Sequence, residues 1–301
     1  MYGVVVQLRD RPVAECMEPV DDGKVVHASE ITKQNHPLLD AGLGIYARVF
    51  GRPMFRKLNY LLLQMGLRGV GVSNYRTAYL SGEDAVARRI IGSVENNDGL
   101  VLDIGANEGE FTDLVVNASK KLRVISFEPH PITCGRLRQR FAKNPRVQIM
   151  DCAVGREAGT IDLFDYDEID GTEHATVFRD VIEKTRRAKA SQHTVKVVTL
   201  DSLEFEGEIE LLKLDVEGFE LAVLQGAKKT ISTKRPHYLL IEFNEMNITS
   251  RTFMQEICDE LKGYKAERVL PGGRTLELNN PYRPWHHEIF AYQNLLFTRS
   301  S

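Results

Sequence analysis

Residues 101–112 read Val101-Leu102-Asp103-Ile104-Gly105-Ala106-Asn107-Glu108-Gly109-Glu110-Phe111-Thr112. An apolar run ends near an acid, turns through two glycines and opens into a helical stretch. Leu100–Ile104 therefore reads as a buried strand and Glu110–Ser119 as the helix that follows it. Glycines at 105 and 109 let backbone approach a bound cofactor with no Cβ in the way, and helix N-terminal amides favour negative groups. The spacing is D-x-G-x-x-x-G, not the dinucleotide fingerprint G-x-G-x-x-G. Carboxylates at Asp103 and Glu108 suit a cationic amino acid and sulfonium better than a pyrophosphate. The loop thus favours S-adenosylmethionine (SAM) over NAD, with contacts expected from Asp103, Gly105, Ala106, Asn107, Glu108 and Gly109.

Outward from this loop the chain alternates strands and helices. Strands are expected at 124–127, 147–150, 160–164, 195–200, 209–214, 238–243 and within 288–297. Helices are expected at 132–143, 175–190, 219–230 and 253–261. Alternation of this kind specifies an α/β fold, a mostly parallel sheet with helices on both faces. Ligands in such sheets bind beyond the carboxyl ends of the strands. The second strand ends at Glu128-Pro129, where a carboxylate can accept both ribose hydroxyls. The third ends at Asp151-Cys152-Ala153, on the adenine side. Cys152 is read as pocket wall, since no neighbour in sequence supplies the charge that would activate it.

Methyl transfer to a hydroxyl needs alignment, exclusion of water and removal of a proton. Asp215 and Glu217, in Leu214-Asp215-Val216-Glu217-Gly218, stand where the fourth core strand meets its helix. Asp215 either orients the acceptor hydroxyl or contacts the cofactor's amino group. Glu217 is a second candidate, although a glutamate in a first helical turn also favours the helix dipole with no catalytic role. Glu242 lies within the apolar run Leu239–Phe243, where a carboxylate is costly unless it is paired or at the sheet's open end. Asp215 and Glu242 would hold a divalent cation, share a proton, or simply be satisfied by backbone amides; no residue is assigned as a metal ligand. His174 is the best-placed general base, in a loop that would close over the cofactor, with an exposed loop residue or helix cap as the plain alternative. His130 is expected to shape the pocket. His286 and His287, beside Trp285 and Tyr282, are a further candidate lining for an acceptor.

At 301 residues the chain fits one catalytic domain with an N-terminal extension. A net charge of −3 argues against a protein built to coat nucleic acid. The four cysteines show no zinc spacing, consistent with reduced thiols in a cytoplasmic setting. Neither a signal peptide nor an apolar run of about 20 residues is evident. Between Asp40 and Glu83 there is no acid, yet six basic residues lie among many apolar ones. Residues 41–82 thus read either as a helical cap over the sheet or as a peripheral membrane contact.

The series VLDIGANEGEFT (101–112), FEPHP (127–131), DCAVG (151–155), TLDSL (199–203), LKLDVEGFELAVLQGA (212–227) and LIEFN (240–244) resembles the FkbM-type methyltransferases. The likeness covers about residues 80–301, and LDVEGFE is its most specific piece. It implies a Rossmann-like class I fold with a seven-stranded, mostly parallel sheet over 93–301, behind a helical extension at 1–92. It also implies SAM-dependent chemistry, commonly O-methylation of a sugar, glycolipid or secondary metabolite, with a small-molecule or glycan acceptor and no nucleic acid. The competing readings are a SAM-binding protein without catalysis and an NAD-dependent oxidoreductase.

Overall fold

The computed structural model describes residues 37–94, 98–166, 171–172, 175–185, 187–278 and 282–300. His174 lies outside the described residues. Two compact units divide between Asn59 and Tyr60. The first contains helix α1 (Pro37–Phe50) and a short 3₁₀ turn at Pro53–Phe55. Helix α2 (Arg56–Gly69) carries the chain across the division.

The second unit continues with α3 (Ala78–Ser81), α4 (Glu83–Ser93), β1 (Leu100–Ile104), α5 (Glu110–Ala118), β2 (Arg123–Phe127), α6 (Pro131–Phe141), β3 (Val147–Met150), β4 (Ala153–Val154), β5 (Gly159–Tyr166), β6 (Ala190–Val198), β7 (Ile209–Leu214), α7 (Glu220–Gln225), α8 (Lys228–Lys234), β8 (Tyr238–Phe243), α9 (Met246–Ser250), α10 (Met254–Glu260), β9 (Tyr264–Val269), β10 (Thr275–Glu277), α11 (Pro284–His287) and β11 (Gln293–Arg299). The main sheet has eight strands in the order β10-β9-β11-β8-β7-β1-β2-β3. The five from β3 to β8 are parallel, while β11 runs antiparallel to both β8 and β9. Without the edge hairpin strand β10, the order by appearance is 3-2-1-4-5-7-6, that of class I Rossmann-like methyltransferases. The seven strands that the family resemblance implies are present, one of them (Tyr264–Val269) not read from the sequence, and Thr275–Glu277 adds an eighth by pairing with β9. A second sheet, β4-β6-β5, stands apart.

Every residue of β1 and β7 is buried, because helices cover both faces and leave no side that tolerates alternation. One face packs Leu102, Ile104, Leu212 and Leu214 with Val223, Leu224 and Ile257. The other packs Val101, Leu211 and Leu240 with Ile90, Phe111, Val115 and Leu137. The chain winds one way from β1 to β3 and the other way from β7 onward, so the crevice between β1 and β7 is the sheet's switch point.

Two expected helices take other forms. Residues 175–178 are not helical, since Thr176 forms an antiparallel bridge with Phe164 through a pair of backbone hydrogen bonds, and the helical structure that follows is a short turn including Val181–Thr185. The expected helix 219–230 breaks into α7 and α8 at Gly226, which lies so close to the Gly155 carbonyl that no Cβ fits between them.

Candidate active site

At the mouth of the switch point a pocket of about 650 Å³, open side included, is lined by residues from both sheets. From the main sheet come Ile104, Gly105, Asn107, Phe127, Glu128 and Pro129, with Asp215, Val216, Glu217 and Phe219 opposite. Cys152, Ala153, Val154 and Leu163 supply an apolar wall, and Thr172, Ala175, Thr176 and Val177 close one side.

The glycine loop is held by protein backbone. Gly105 and Ala106 both donate to the Phe127 carbonyl at 3.0 Å, and Asp215 donates to the Ile104 carbonyl at 3.0 Å. Gly105 has φ +84°, and a Cβ there would collide with the Asp215 carbonyl. Its glycine therefore keeps β1 and β7 close at the site. Gly109 (φ +82°) instead gives room to α6, because a Cβ would lie 2.5 Å from Leu137.

Glu128 is buried and accepts backbone N–H bonds from Asn107 through Oε2 and from His130 through Oε1, each at 2.8 Å. Burial pushes its carboxyl up to about 7, against the pull of those two amides. Each oxygen keeps a lone pair beyond the one its amide uses, and the residue lines the pocket. Cys152 is also buried, its thiol pushed up to about 11, so it stays protonated and serves as wall.

Several residues singled out from the sequence stand off the pocket wall. Asp103 is fully buried on the opposite face of β1, where its Oδ2 accepts from Thr112 Oγ1 at 2.7 Å. Glu108 turns outward to Arg136 at 3.1 Å, and Asp151 pairs with Arg138 at 2.9 Å on the surface. Ala106 and Gly109 do not line the pocket. Trp285 is exposed, and Tyr282 donates to Glu288 at 2.7 Å, away from the pocket-lining residues. His130 is fully buried, 3.8 Å from Asp165 and edge-on to His193. Its neighbour Asp165 accepts from the amides of Gly171 and Thr172 at 2.8 and 2.6 Å, which pins the segment leading to the pocket's side wall.

At the carboxyl ends of β7 and β8 lies a polar cluster that sequence reasoning found only in part. Lys213 was missed: a buried lysine whose Nζ lies 2.9 Å from Asp215 Oδ2 and 3.4 Å from Glu83 Oε1, above the ring of Phe111. Burial pulls its pKa down, but Asp215, Glu83 and Asp103 together hold it well above the usual lysine value. The cue was present, since a cation inside the apolar run Leu211–Leu214 is costly unless paired. Asn244 was also missed. Its Nδ2 donates to Glu242 Oε1 at 2.8 Å and to Glu217 Oε2 at 3.2 Å, joining two of the expected acids through one amide. Burial, then the charges of Asp215 and Glu217, raise Glu242 well above the ordinary carboxylate range.

Glu217 is not in a first helical turn. It sits before α7 with φ +50°, and its carbonyl accepts from Thr176 Oγ1 at 3.3 Å. The helix-start position belongs to Glu220, whose Oε1 accepts from Gly218 N at 3.0 Å and whose Oε2 accepts from Asn247 at 3.0 Å. Among the described residues, the cluster with metal-ligand proximity is Glu208, Glu210 and His237, at the other end of β7.

The Methyltransferase FkbM domain matches residues 103–267, more than half of the chain. This chain belongs to the FkbM methyltransferase family. Over 200 residues the methyltransferase is 22% identical to the 2-O-methyltransferase NoeI of Sinorhizobium fredii, spanning 62% of this chain and 81% of that protein. It is 27% identical over 174 residues to the hexuronic acid methyltransferase AglP of Haloferax volcanii, spanning 56% and 66%. Among solved structures it is similar to an O-methyltransferase from Bacillus cereus, at 12% identity and TM-score 0.37 over 86% of this chain and 96% of that one. Membership of this family makes the protein a SAM-dependent methyltransferase. The pocket's chemistry fits that cofactor: a carboxylate for a ribose diol, an apolar wall for adenine, and Asp215 with Glu217 for a cationic end.

Proposed function

We propose that this methyltransferase O-methylates a hydroxyl of a carbohydrate or glycolipid. The observation that carries the reading is the hydrogen-bonded chain from Glu217 on the pocket wall through Asn244 to Glu242, which stands behind that wall and whose carboxyl is raised by burial well above its ordinary range. A carboxylate tuned upward is better matched to taking a hydroxyl proton near neutral pH than an ordinary one. The names of the two relatives, a 2-O-methyltransferase and a hexuronic acid methyltransferase, support a sugar acceptor.

Bound SAM supplies an electrophilic methyl group. On this reading Glu128 accepts the ribose hydroxyls, Gly105 and Asn107 line its approach, and Cys152, Ala153 and Phe219 bound the adenine. Asp215, clamped by Lys213, faces the positive end of the cofactor. Glu242 takes the acceptor proton at a carboxylate oxygen while Asn244 fixes its orientation, and the second sheet keeps water from the reacting centre.

Calorimetry with SAM, S-adenosylhomocysteine and NAD comes first, followed by transfer of isotope-labelled methyl to a panel of glycans. Glu242→Gln is expected to keep SAM affinity and lose kcat by about 10²–10⁴-fold. Binding of NAD alone would overturn the cofactor assignment. Full turnover by Glu242→Gln would remove Glu242 as base.

A further inference from the structure

We infer that residues 41–82 dock this protein on an anionic lipid surface. The sequence left two readings of this segment, a cap packed on the sheet or a membrane contact. A cap must bury the leucine stripe of α2. The structure buries none of that helix: Leu58, Leu61, Leu62 and Met65 are 40, 53, 44 and 61% exposed.

Exposure runs around the helix rather than along one face. Tyr60, Leu61, Leu62 and Leu63 are consecutive and all exposed. Successive residues are turned about 100° from one another, so no single protein groove covers all four. A helix lying in the bilayer interface buries its apolar side into the headgroup and acyl boundary and keeps its charged side toward water and the phosphates. At 14 residues α2 is about 21 Å long, short of the ~30 Å hydrocarbon core. Among the described residues no helix is long and apolar enough to cross a membrane. The helix therefore lies in the interface.

Charge selects the lipid. Residues 41–82 hold Arg48, Arg52, Arg56, Lys57, Arg68 and Arg76 and no acid. Each side of the division between the two units carries both features by itself. Before it, exposed Leu43, Ile45 and Met54 accompany Arg48, Arg52, Arg56 and Lys57; after it, Leu61, Leu62 and Met65 accompany Arg68 and Arg76. A second copy would bring the same positive charges against themselves. An anionic polymer would match the arginines and leave the leucines in water. A bilayer with anionic headgroups satisfies both, with the long basic side chains reaching up to the phosphates.

The test is co-sedimentation of the full chain at low salt with phosphatidylcholine vesicles, with and without phosphatidylglycerol. Binding is expected only with the anionic lipid. Arg56→Gln/Lys57→Gln is expected to weaken it about thirtyfold. Leu61→Asp/Leu62→Asp should abolish it, and SAM binding by both variants shows that they are folded. Three results would overturn the inference. One is no sedimentation with either vesicle. Another is binding that Leu61→Asp/Leu62→Asp leaves intact, which reduces the contact to charge alone. The third is a solution dimer, split by that same variant, with no vesicle binding.

Discussion

Lys213→Met tests whether one buried ammonium holds the acidic cluster together. Its Nζ lies 2.9 Å from Asp215 and 3.4 Å from Glu83. At an effective dielectric constant of about 20, these separations correspond to about 6 and 5 kcal/mol of attraction. Several kcal/mol are offset by the desolvation of the buried ammonium, and breaking such a pair from one side costs about 3–5 kcal/mol. Methionine keeps the stem volume, so the loss reports charge rather than a cavity. For a domain of this size, melting should fall by about 6–20 °C at pH 8. The sign of the pH dependence follows from the carboxyls left behind. Burial already raises the carboxyls of Glu83 and Asp103, and Lys213 draws both back down, so without the cation their folded pKa values rise further above the unfolded ones. Stability is then greatest at low pH and is lost as the pH climbs through those raised values. Thermal melts of both proteins at pH 5.5 and pH 8 should show the gap narrowing at the lower pH. An equal gap at both pH values, or no gap, would refute the role given to Lys213.

Glu220, buried and pushed up to about 7, should make the folded protein bind a proton that the unfolded chain releases near 4.5. That contributes about 3 kcal/mol at low pH, lost as the pH rises through 7, so Glu220→Gln should flatten the melting temperature between pH 5 and 8; an unchanged slope would count against it. Glu128→Gln keeps one acceptor oxygen but loses the charge, and calorimetry should find SAM bound about 10–100-fold more weakly, whereas a change within about twofold would remove Glu128 from the ribose site. Gly109→Ala forces a Cβ to within 2.5 Å of Leu137 at φ +82° and should cost about 2–4 kcal/mol, measured by urea unfolding, with SAM affinity retained because residue 109 stands off the pocket wall.

The strands were the most legible part of the chain. Leu100–Ile104, Val147–Met150, Ile209–Leu214 and Tyr238–Phe243 are unbroken or nearly unbroken apolar runs, and their limits in the structure match those read from the sequence. Tyr264–Val269 escaped notice because Lys265 and Glu267 interrupt it, and its strand character depends on pairing with the distant β11. The composition of 175–190 suggested a helix, but pairing of Thr176 with Phe164 overrode that local preference. In the site, Glu128 and Asp215 were found because they stand at strand ends. The outward turn of Glu108 and Asp151 was not visible, since it depends on where α6 places Arg136 and Arg138. Asn244 was likewise hidden: its amide meets Glu217 only once β7 and β8 lie side by side.

The hydrogen bonds of Glu220 show what the LDVEGFE block does for this fold. Glu220 holds the Gly218 amide and Asn247, and Gly218 itself would collide with Met246 if it bore a side chain. The most recognisable letters of the motif are thus spent on architecture, fixing how α9 abuts the turn that presents Asp215 and Glu217. Drift in that block is penalised whatever molecule receives the methyl group. In this chain the block therefore builds the donor half of the site, and the acceptor is met by segments that the motif does not touch.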